Sequence, residues 1–204
     1  MCVPYYRAQV LESIARKTLT KLDNSYLNFA PQAVPIENLI ENTFGLTIDY
    51  KYLKQFKDEL GKMVYDNGYV ICFNREKDDY ELVEVTIGTM LIEASLADDS
   101  TQYGRLRFTL AHELAHWILH QRLFEGTGIA AAMYDADVDE DSVEWQANYL
   151  AQAILMPNGQ VKRCFYSVYS NYKTRREKIK AMADIFEVSK QAMEIRLMNF
   201  NLIS

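Results

Sequence analysis

All three histidines of this 204-residue chain fall within nine consecutive residues, in the segment FTLAHELAHWILH. The residues from 107 to about 121 are strongly apolar at helical spacing, so the segment predicts a helix. Residues four apart on a helix project from one face, one turn above the other. His112 and His116 therefore bring two imidazole rings together, and a buried helix that carries such side chains among leucines and alanines needs polar partners for them.

The HExxH pattern in this segment indicates a metal site with a base beside it. Two histidines one turn apart can direct ring nitrogens at one zinc ion, each about 2.0–2.1 Å away. Glu113 lies about 100° further round the helix, so it reaches a water on the metal more easily than the metal itself. We therefore expect one Zn²⁺ ion, with His112 and His116 as ligands and Glu113 as the general base.

A catalytic zinc needs a third protein ligand and one open position. We prefer Glu144, which opens the motif E-x-x-A-N in a second predicted helix, SVEWQANYLAQAILM. His120 is the alternative, but another helical turn carries it about 40° away from the first two histidines, so we expect it to pack beside them. Asn148 could hydrogen-bond a ligating imidazole. A competing role for Glu144 is a capping box with Asp141 as the N-cap.

A group that stabilises the oxyanion of the reaction is also expected. The sequence offers four residues able to donate a hydrogen bond, without choosing among them: Tyr134, Tyr149, Arg105 and Arg107.

Strand patterns occupy the first half of the chain and helix patterns the second, which predicts an α+β fold with a small twisted, mostly antiparallel sheet. Asn67-Gly68 between two β-rich runs predicts a hairpin, and a further strand region is predicted over roughly residues 81–96. Residues 125–141 read as an acidic loop. The remaining expected helices cover residues 5–21, a short stretch from Pro35 closed by Gly45, residues 173–186 and residues 190–198.

Charge is distributed unevenly along the chain. Residues 162–204 hold nine Lys and Arg against four Asp and Glu, a net +5, while residues 1–161 carry −11. The acidic part is a poor candidate for binding nucleic acid. The basic tail resembles a helix-turn-helix with Ser189 as an N-cap, but Lys190, Gln191 and Arg196 are few side chains for reading bases. We expect the tail to pack against the rest of the protein, with DNA binding as the alternative.

No apolar run reaches the ~20 residues of a membrane span, and the N-terminus lacks the apolar stretch of a signal peptide. The three cysteines are odd in number and widely spaced, so they match neither a disulfide framework nor a CxxC site. We expect a cytoplasmic protein without a membrane partner.

The two motifs together resemble a known family. RFTLAHELAHWILH followed by EWQANYLAQAILMP is similar to the ImmA/IrrE family of zinc metallo-endopeptidases, whose pattern is RFTLAHELGH followed by ExEANxFAxxLLMP. VPIENLIENTFGLTIDYKYL is similar to the family's N-terminal helix and strand, so the likeness covers most of residues 30–160. It maps zinc binding onto His112, His116 and Glu144, and the base onto Glu113. The departures, Ala115, Gln146 and Leu150, remove none of these.

The resemblance implies a gluzincin-like minimal zincin, in which an edge strand of the sheet binds an extended peptide beside the HExxH helix. It also implies a regulatory role, because several family members cleave a helix-turn-helix repressor. We expect residues 1–160 to form the zinc metallopeptidase domain and residues 161–204 a helical, helix-turn-helix-like subdomain. The alternative function is a zinc-containing transcriptional regulator or sensor that binds protein or DNA without cleaving it. The sequence specifies no oligomeric state.

Overall fold

The computed structural model describes residues 4–53, 60–125, 140–168, 171–172 and 174–203, with the backbone alone at residues 140 and 141. The described helices and strands form an α+β fold with small sheets. In chain order they are α1 (Ala8–Leu22), α2 (Ser25–Asn28), α3 (Ile36–Asn38, continued by a π-helical turn at Leu39–Thr43), β1 (Thr47–Lys51), β2 (Gly61–Met63), β3 (Gly68–Asn74), β4 (Asp79–Val85), β5 (Thr89–Glu93), α4 (Ser95–Asp98), a 3₁₀ turn (Ser100–Gln102), α5 (Tyr103–Phe124), α6 (Glu140–Leu155), α7 (Asn158–Val168), α8 (Arg175–Phe186) and α9 (Lys190–Asn199).

The main sheet has the strand order β1-β5-β2. β5 is buried along its whole length and runs parallel to β1, with Met90 opposite Ile48. β2 pairs antiparallel with β5, with Lys62 opposite Leu91. Within the described residues β2 is thus one of the two edge strands of this sheet, and it lies alongside α5.

β3 and β4 form a separate antiparallel hairpin, with Ile71 opposite Leu82. One face of the hairpin packs on Leu53, Val64 and Leu91. The predicted hairpin across Asn67-Gly68 is wrong, because β2 pairs with β5 instead of β3. Asn67 has another role there, since its Oδ1 accepts a hydrogen bond of 2.9 Å from the backbone N–H of Ile87.

The actual hairpin turn follows Asn74, whose side-chain oxygen accepts hydrogen bonds from the backbone N–H groups of Glu76 and Lys77. Such a side chain mimics a backbone turn. The strand predicted over residues 81–96 is also divided, into β4 and β5. Gly88 lies between them at φ +85°, a left-handed conformation that glycine adopts without a steric penalty.

α5 is the central helix of the protein. It packs against β2 and β5 on one side and against α6 on another, and α1 packs against α6. α6 ends before Pro157 as predicted, but Glu140 already belongs to it. Asp141 is therefore not the N-cap, which counts against the capping box that was the alternative role for Glu144. Most of the acidic loop predicted for residues 125–141 lies outside the described residues.

The C-terminal helices pack on the rest of the protein. α7 was not predicted, whereas Ser189 caps α9 as predicted, since its Oγ accepts a 3.0 Å hydrogen bond from the N–H of Ala192. The turn between α8 and α9 contacts the start of α5, where a Cβ on Gly104 would lie 2.9 Å from the backbone nitrogen of Ser189. Among the described helices, none has the length and apolar character to cross a membrane.

Candidate metal centre

Three side chains from two helices converge on one point. α5 supplies His112 and His116, and α6, packed against it, supplies Glu144. The two histidine Nε2 atoms are 2.9 Å apart. The Glu144 carboxylate places Oε2 at 3.3 Å from Nε2 of His112 and Oε1 at 3.2 Å from Nε2 of His116. The spacing of four residues and the packing of α6 on α5 therefore bring together the three residues expected as ligands.

These separations fit a tetrahedral zinc ion. Bonds of about 2.0–2.1 Å at tetrahedral angles put neighbouring ligand atoms about 3.3–3.4 Å apart. The two imidazole nitrogens are 2.9 Å apart, and each lies 3.2–3.3 Å from a different oxygen of the Glu144 carboxylate. Two imidazoles and one carboxylate are also a ligand set of catalytic zinc sites. By distance and by chemistry, the three side chains could hold one such ion.

The two acidic groups of the site set its electrostatics. Burial lowers the pKa of His112, but hydrogen bonding to Glu144 and the charges of Glu113 and Glu144 together raise the pKa above its ordinary value. The Asn148 side chain contributes to the same rise, although no described residue lies at full hydrogen-bond geometry to Nδ1 of His112. Asn148 thus lies beside His112.

Glu113 lies between the three converging side chains and the edge strand β2. Its side chain is buried, and its charge acts on His112. A Cβ on Gly61 would lie 2.9 Å from both Cγ and Oε1 of Glu113, and 2.7 Å from Cγ2 of Thr109. Real Cβ atoms essentially never make contacts that short, so any side chain at residue 61 would have to displace the side chains of Glu113 and Thr109. Sequence analysis missed Gly61, because its role depends on the approach of a strand that is distant in sequence.

His120 contacts the cluster without joining it. Its Nδ1 lies 3.2 Å from Nδ1 of His116, on the side of that ring opposite the converging Nε2 atoms. The ring is fully buried. Burial and the charge of His116 lower the pKa of His120 to about 3. His120 is therefore placed as a neutral neighbour of His116.

The four residues named as oxyanion donors lie in different surroundings. The hydroxyl of Tyr149 donates to Oε1 of Glu12 at 3.2 Å. The buried Arg107 donates from one guanidinium nitrogen to the carbonyl of Val34 at 2.7 Å. Arg105 is exposed, and Tyr134 lies outside the described residues.

Tyr65 is a further residue that sequence analysis missed. It follows β2 and stacks on Trp117, with ring centroids 6.0 Å apart. Burial and the charges of Glu113 and Glu144 raise its pKa well above the ordinary tyrosine value. Its hydroxyl is buried without a hydrogen-bond partner among the described residues. The phenol therefore stays protonated close to both carboxylates.

The family model for the IrrE N-terminal-like domain, a peptidase domain, matches residues 88–198, just over half of the chain. The chain belongs to the ImmA/IrrE peptidase family. The match includes α5 to α8 and all of α9 except its last residue. No curated protein matches the sequence closely enough to count as a relative.

Membership in the ImmA/IrrE family confirms the resemblance seen in the sequence. It supports metallopeptidase activity, with protein as the class of substrate. The His112, His116 and Glu144 cluster is a plausible metal site for that activity.

Proposed function

We propose that this protein is a zinc-dependent endopeptidase of the gluzincin type, with His112, His116 and Glu144 as the zinc ligands. The observation that carries the proposal is the convergence of two imidazole nitrogens and one carboxylate at tetrahedral spacing, with Glu113 buried beside them. Zinc bound there would polarise the scissile carbonyl and make a water molecule more acidic.

In this mechanism, Glu113 takes a proton from the attacking water and delivers it to the leaving amine. Gly61 supports this role, because the absence of a side chain lets β2 approach the carboxylate closely. We place the substrate as an extended peptide along the edge strand β2, where strand addition would bring its backbone next to Glu113. We leave Tyr134, Tyr149, Arg105 and Arg107 as proposals for the oxyanion donor.

As substrate we propose a helix-turn-helix repressor, and as location the cytoplasm. The substrate proposal comes from the family. The proposed location is supported by Cys72 and Cys164, because these buried free thiols fit a reducing compartment. We also propose that residues 1–160 form the catalytic unit and residues 161–204 a helical extension. α9 supports a packing role for that extension, because Arg196 is fully buried and pairs with Glu12 at 2.7 Å.

The test is incubation of the purified protein with the repressor encoded by a neighbouring gene, with and without a zinc chelator. Discrete fragments should form, disappear with chelator and return when Zn²⁺ is added. The Glu113→Gln variant should retain zinc but produce no fragments. Cleavage by that variant at the wild-type rate would remove Glu113 from the proposed role.

The alternative function is a zinc-containing regulator that binds DNA or protein without cleaving it. One observation counts against DNA binding by the tail. Of the three side chains that could read bases, Arg196 is buried against Met156 and Glu12, which leaves Lys190 and Gln191 at the surface. Gel shift of the full chain would support the alternative only if binding occurred without any cleavage of a partner protein.

A further inference from the structure

His116 uses both of its ring nitrogens. Nε2 faces His112 and Glu144, while Nδ1 lies 3.2 Å from Nδ1 of His120. A metal-bound imidazole carries its remaining proton on the other nitrogen and donates it to a partner that fixes the ring orientation. If Nε2 binds the metal, Nδ1–H of His116 must donate to Nδ1 of His120.

This requirement fixes the tautomer of His120. Two N–H groups cannot face each other across 3.2 Å, so Nδ1 of His120 has to be the unprotonated acceptor. A neutral imidazole then carries its proton on Nε2. The Nε2–H group of His120 is buried and needs an acceptor, because an unpaired buried donor costs free energy.

The side chain of Gln146 offers that acceptor. It reaches the His120 ring, and its Oε1 is buried, with no described residue at full hydrogen-bond geometry to it. The same is true of Nε2 of His120. The His120 proton requires the amide oxygen to face the ring, and Nε2 of Gln146 then points the other way and donates to Oγ of Ser142 at 3.0 Å. Oε1 of Gln146 is thus the atom available to accept a hydrogen bond from Nε2–H of His120.

We propose that Gln146 is a positioning residue for the metal centre: it accepts the Nε2 proton of His120 and so holds His120 as the acceptor that orients His116. The proposal rests on the proposed function in one respect, the binding of a metal at Nε2 of His116. These side chains form a hydrogen-bond relay in which each residue donates to the next, from His116 to His120, from His120 to Gln146 and from Gln146 to Ser142. α6 thereby supplies both a ligand, Glu144, and the residue that orients a ligand on α5.

The direction of these hydrogen bonds predicts how substitutions at residue 146 change the metal affinity. Methionine has a similar volume but offers only a weak acceptor, so Gln146→Met leaves the His120 proton without a strong partner. Glutamate keeps an acceptor in the same place and adds negative charge, so Gln146→Glu accepts the proton more strongly. Loss of such an outer partner typically costs ~10–100-fold in metal affinity.

The experiment measures Zn²⁺ affinity by chelator competition at one pH for the wild type, Gln146→Met and Gln146→Glu. Gln160→Met is the matched control, because Gln160 is an equally buried glutamine that bonds the carbonyl of Phe29 instead. We expect Gln146→Met to weaken binding about 10-fold, Gln146→Glu to bind at least as tightly as the wild type, and Gln160→Met to leave the affinity unchanged. In ¹H–¹⁵N spectra of the zinc-loaded wild type, the proton of His120 should be on Nε2.

Equal affinity of Gln146→Met and the wild type would overturn the proposal, and so would a His120 proton found on Nδ1. If Gln146→Met does not fold, the comparison of Gln146→Glu with the wild type decides, and weaker binding by Gln146→Glu overturns the proposal. A wild-type protein that binds no Zn²⁺ would overturn the proposed function and this inference together. Zinc binding with no effect at residue 146 would overturn this inference alone.

Discussion

The α-carbon of Gly61 faces the carboxylate of Glu113 so closely that a Cβ atom at residue 61 would lie 2.9 Å from Oε1. This contact joins an edge strand of the main sheet to the helix that carries the HExxH motif. The distance from strand to carboxylate is therefore set by the lack of a side chain.

Gly61→Ala should reduce cleavage without removing zinc. The new methyl group must displace Glu113 and Thr109, and overpacking of this kind costs about 1–3 kcal/mol, while the three proposed zinc ligands remain. Gly159→Ala is the control, because a Cβ at that α7 position meets nothing within 4 Å. The measurements are the cleavage rate, the zinc content and the thermal midpoint. A cleavage rate equal to that of the wild type would show that the carboxylate does not depend on Gly61.

Glu144→Ala should release zinc from the purified protein. It removes a ligand itself, so affinity should fall by more than the ~10–100-fold that the loss of an outer partner costs. The control is Glu194→Ala. Glu194 lies at the surface of α9 and pairs with Arg175, away from the proposed zinc site. Metal analysis after dialysis measures the effect, and an unchanged zinc content would favour His120 as the third ligand.

Zinc should stabilise the fold, because its proposed ligands come from two helices. A ligand present at 100 times its dissociation constant adds about 2.7 kcal/mol to the free energy of unfolding, which corresponds to roughly 5–10 °C in the thermal midpoint of a chain of this size. Thermal scans with Zn²⁺ and with chelator measure this shift. The Glu144→Ala variant should show little of it, and an equal shift in that variant would place the stabilising ion elsewhere.

Stability should fall in alkaline solution because of Cys164. Burial raises the pKa of its thiol to about 11 from an ordinary value of 9.0, so the unfolded chain loses this proton at lower pH than the folded protein. The contribution to stability is fully present below pH 9 and is lost as the pH rises towards 11. Denaturant unfolding of wild type and Cys164→Ala across that range tests this, and identical slopes with pH would contradict it.

Arg196→Met should destabilise the protein strongly. The fully buried guanidinium pairs with Glu12 and donates through Nε to the carbonyl of Met156 at 3.0 Å. Removing one partner of a buried ion pair costs about 3–5 kcal/mol, and the loss should lie at the lower end because the Glu12 side chain left behind is 20% exposed. Arg176→Met, at an exposed position of α8, should change the free energy of unfolding by less than about 0.5 kcal/mol. Comparable losses in the two variants would mean that α9 does not depend on this contact.

Local sequence predicted the parts of the site that depend on helical spacing. The four-residue interval between His112 and His116 and the apolar face around them determine where the rings point. The position of Glu144 was predictable because its motif lies in a helix ended by Pro157. Gly61 and Tyr65 were not predictable in this way, since their roles arise from the packing of β2 on α5.

In the main sheet, too, local sequence did not predict the pairing of distant segments. Asn67-Gly68 has the local signature of a hairpin, yet β2 joins β5, which follows it in the chain only after the β3–β4 hairpin. Pairing between distant strands depends on which apolar faces can be buried together, and Leu91 at the centre of β5 is fully buried. A turn signal between neighbouring segments carries no information about that choice.

The β3–β4 hairpin is closed at its base. The N–H of Val64 donates to the carbonyl of Thr89 at 2.9 Å, and the N–H of Gly88 donates to the carbonyl of Val64 at 3.0 Å. The chain therefore leaves the main sheet and returns to it at the same place, so residues 66–87 form an insertion between β2 and β5. Because Gly61 lies outside this segment, a change in the length of the β3–β4 turn should leave its position against Glu113 intact, whereas the hairpin face on Leu53, Val64 and Leu91 has to stay apolar.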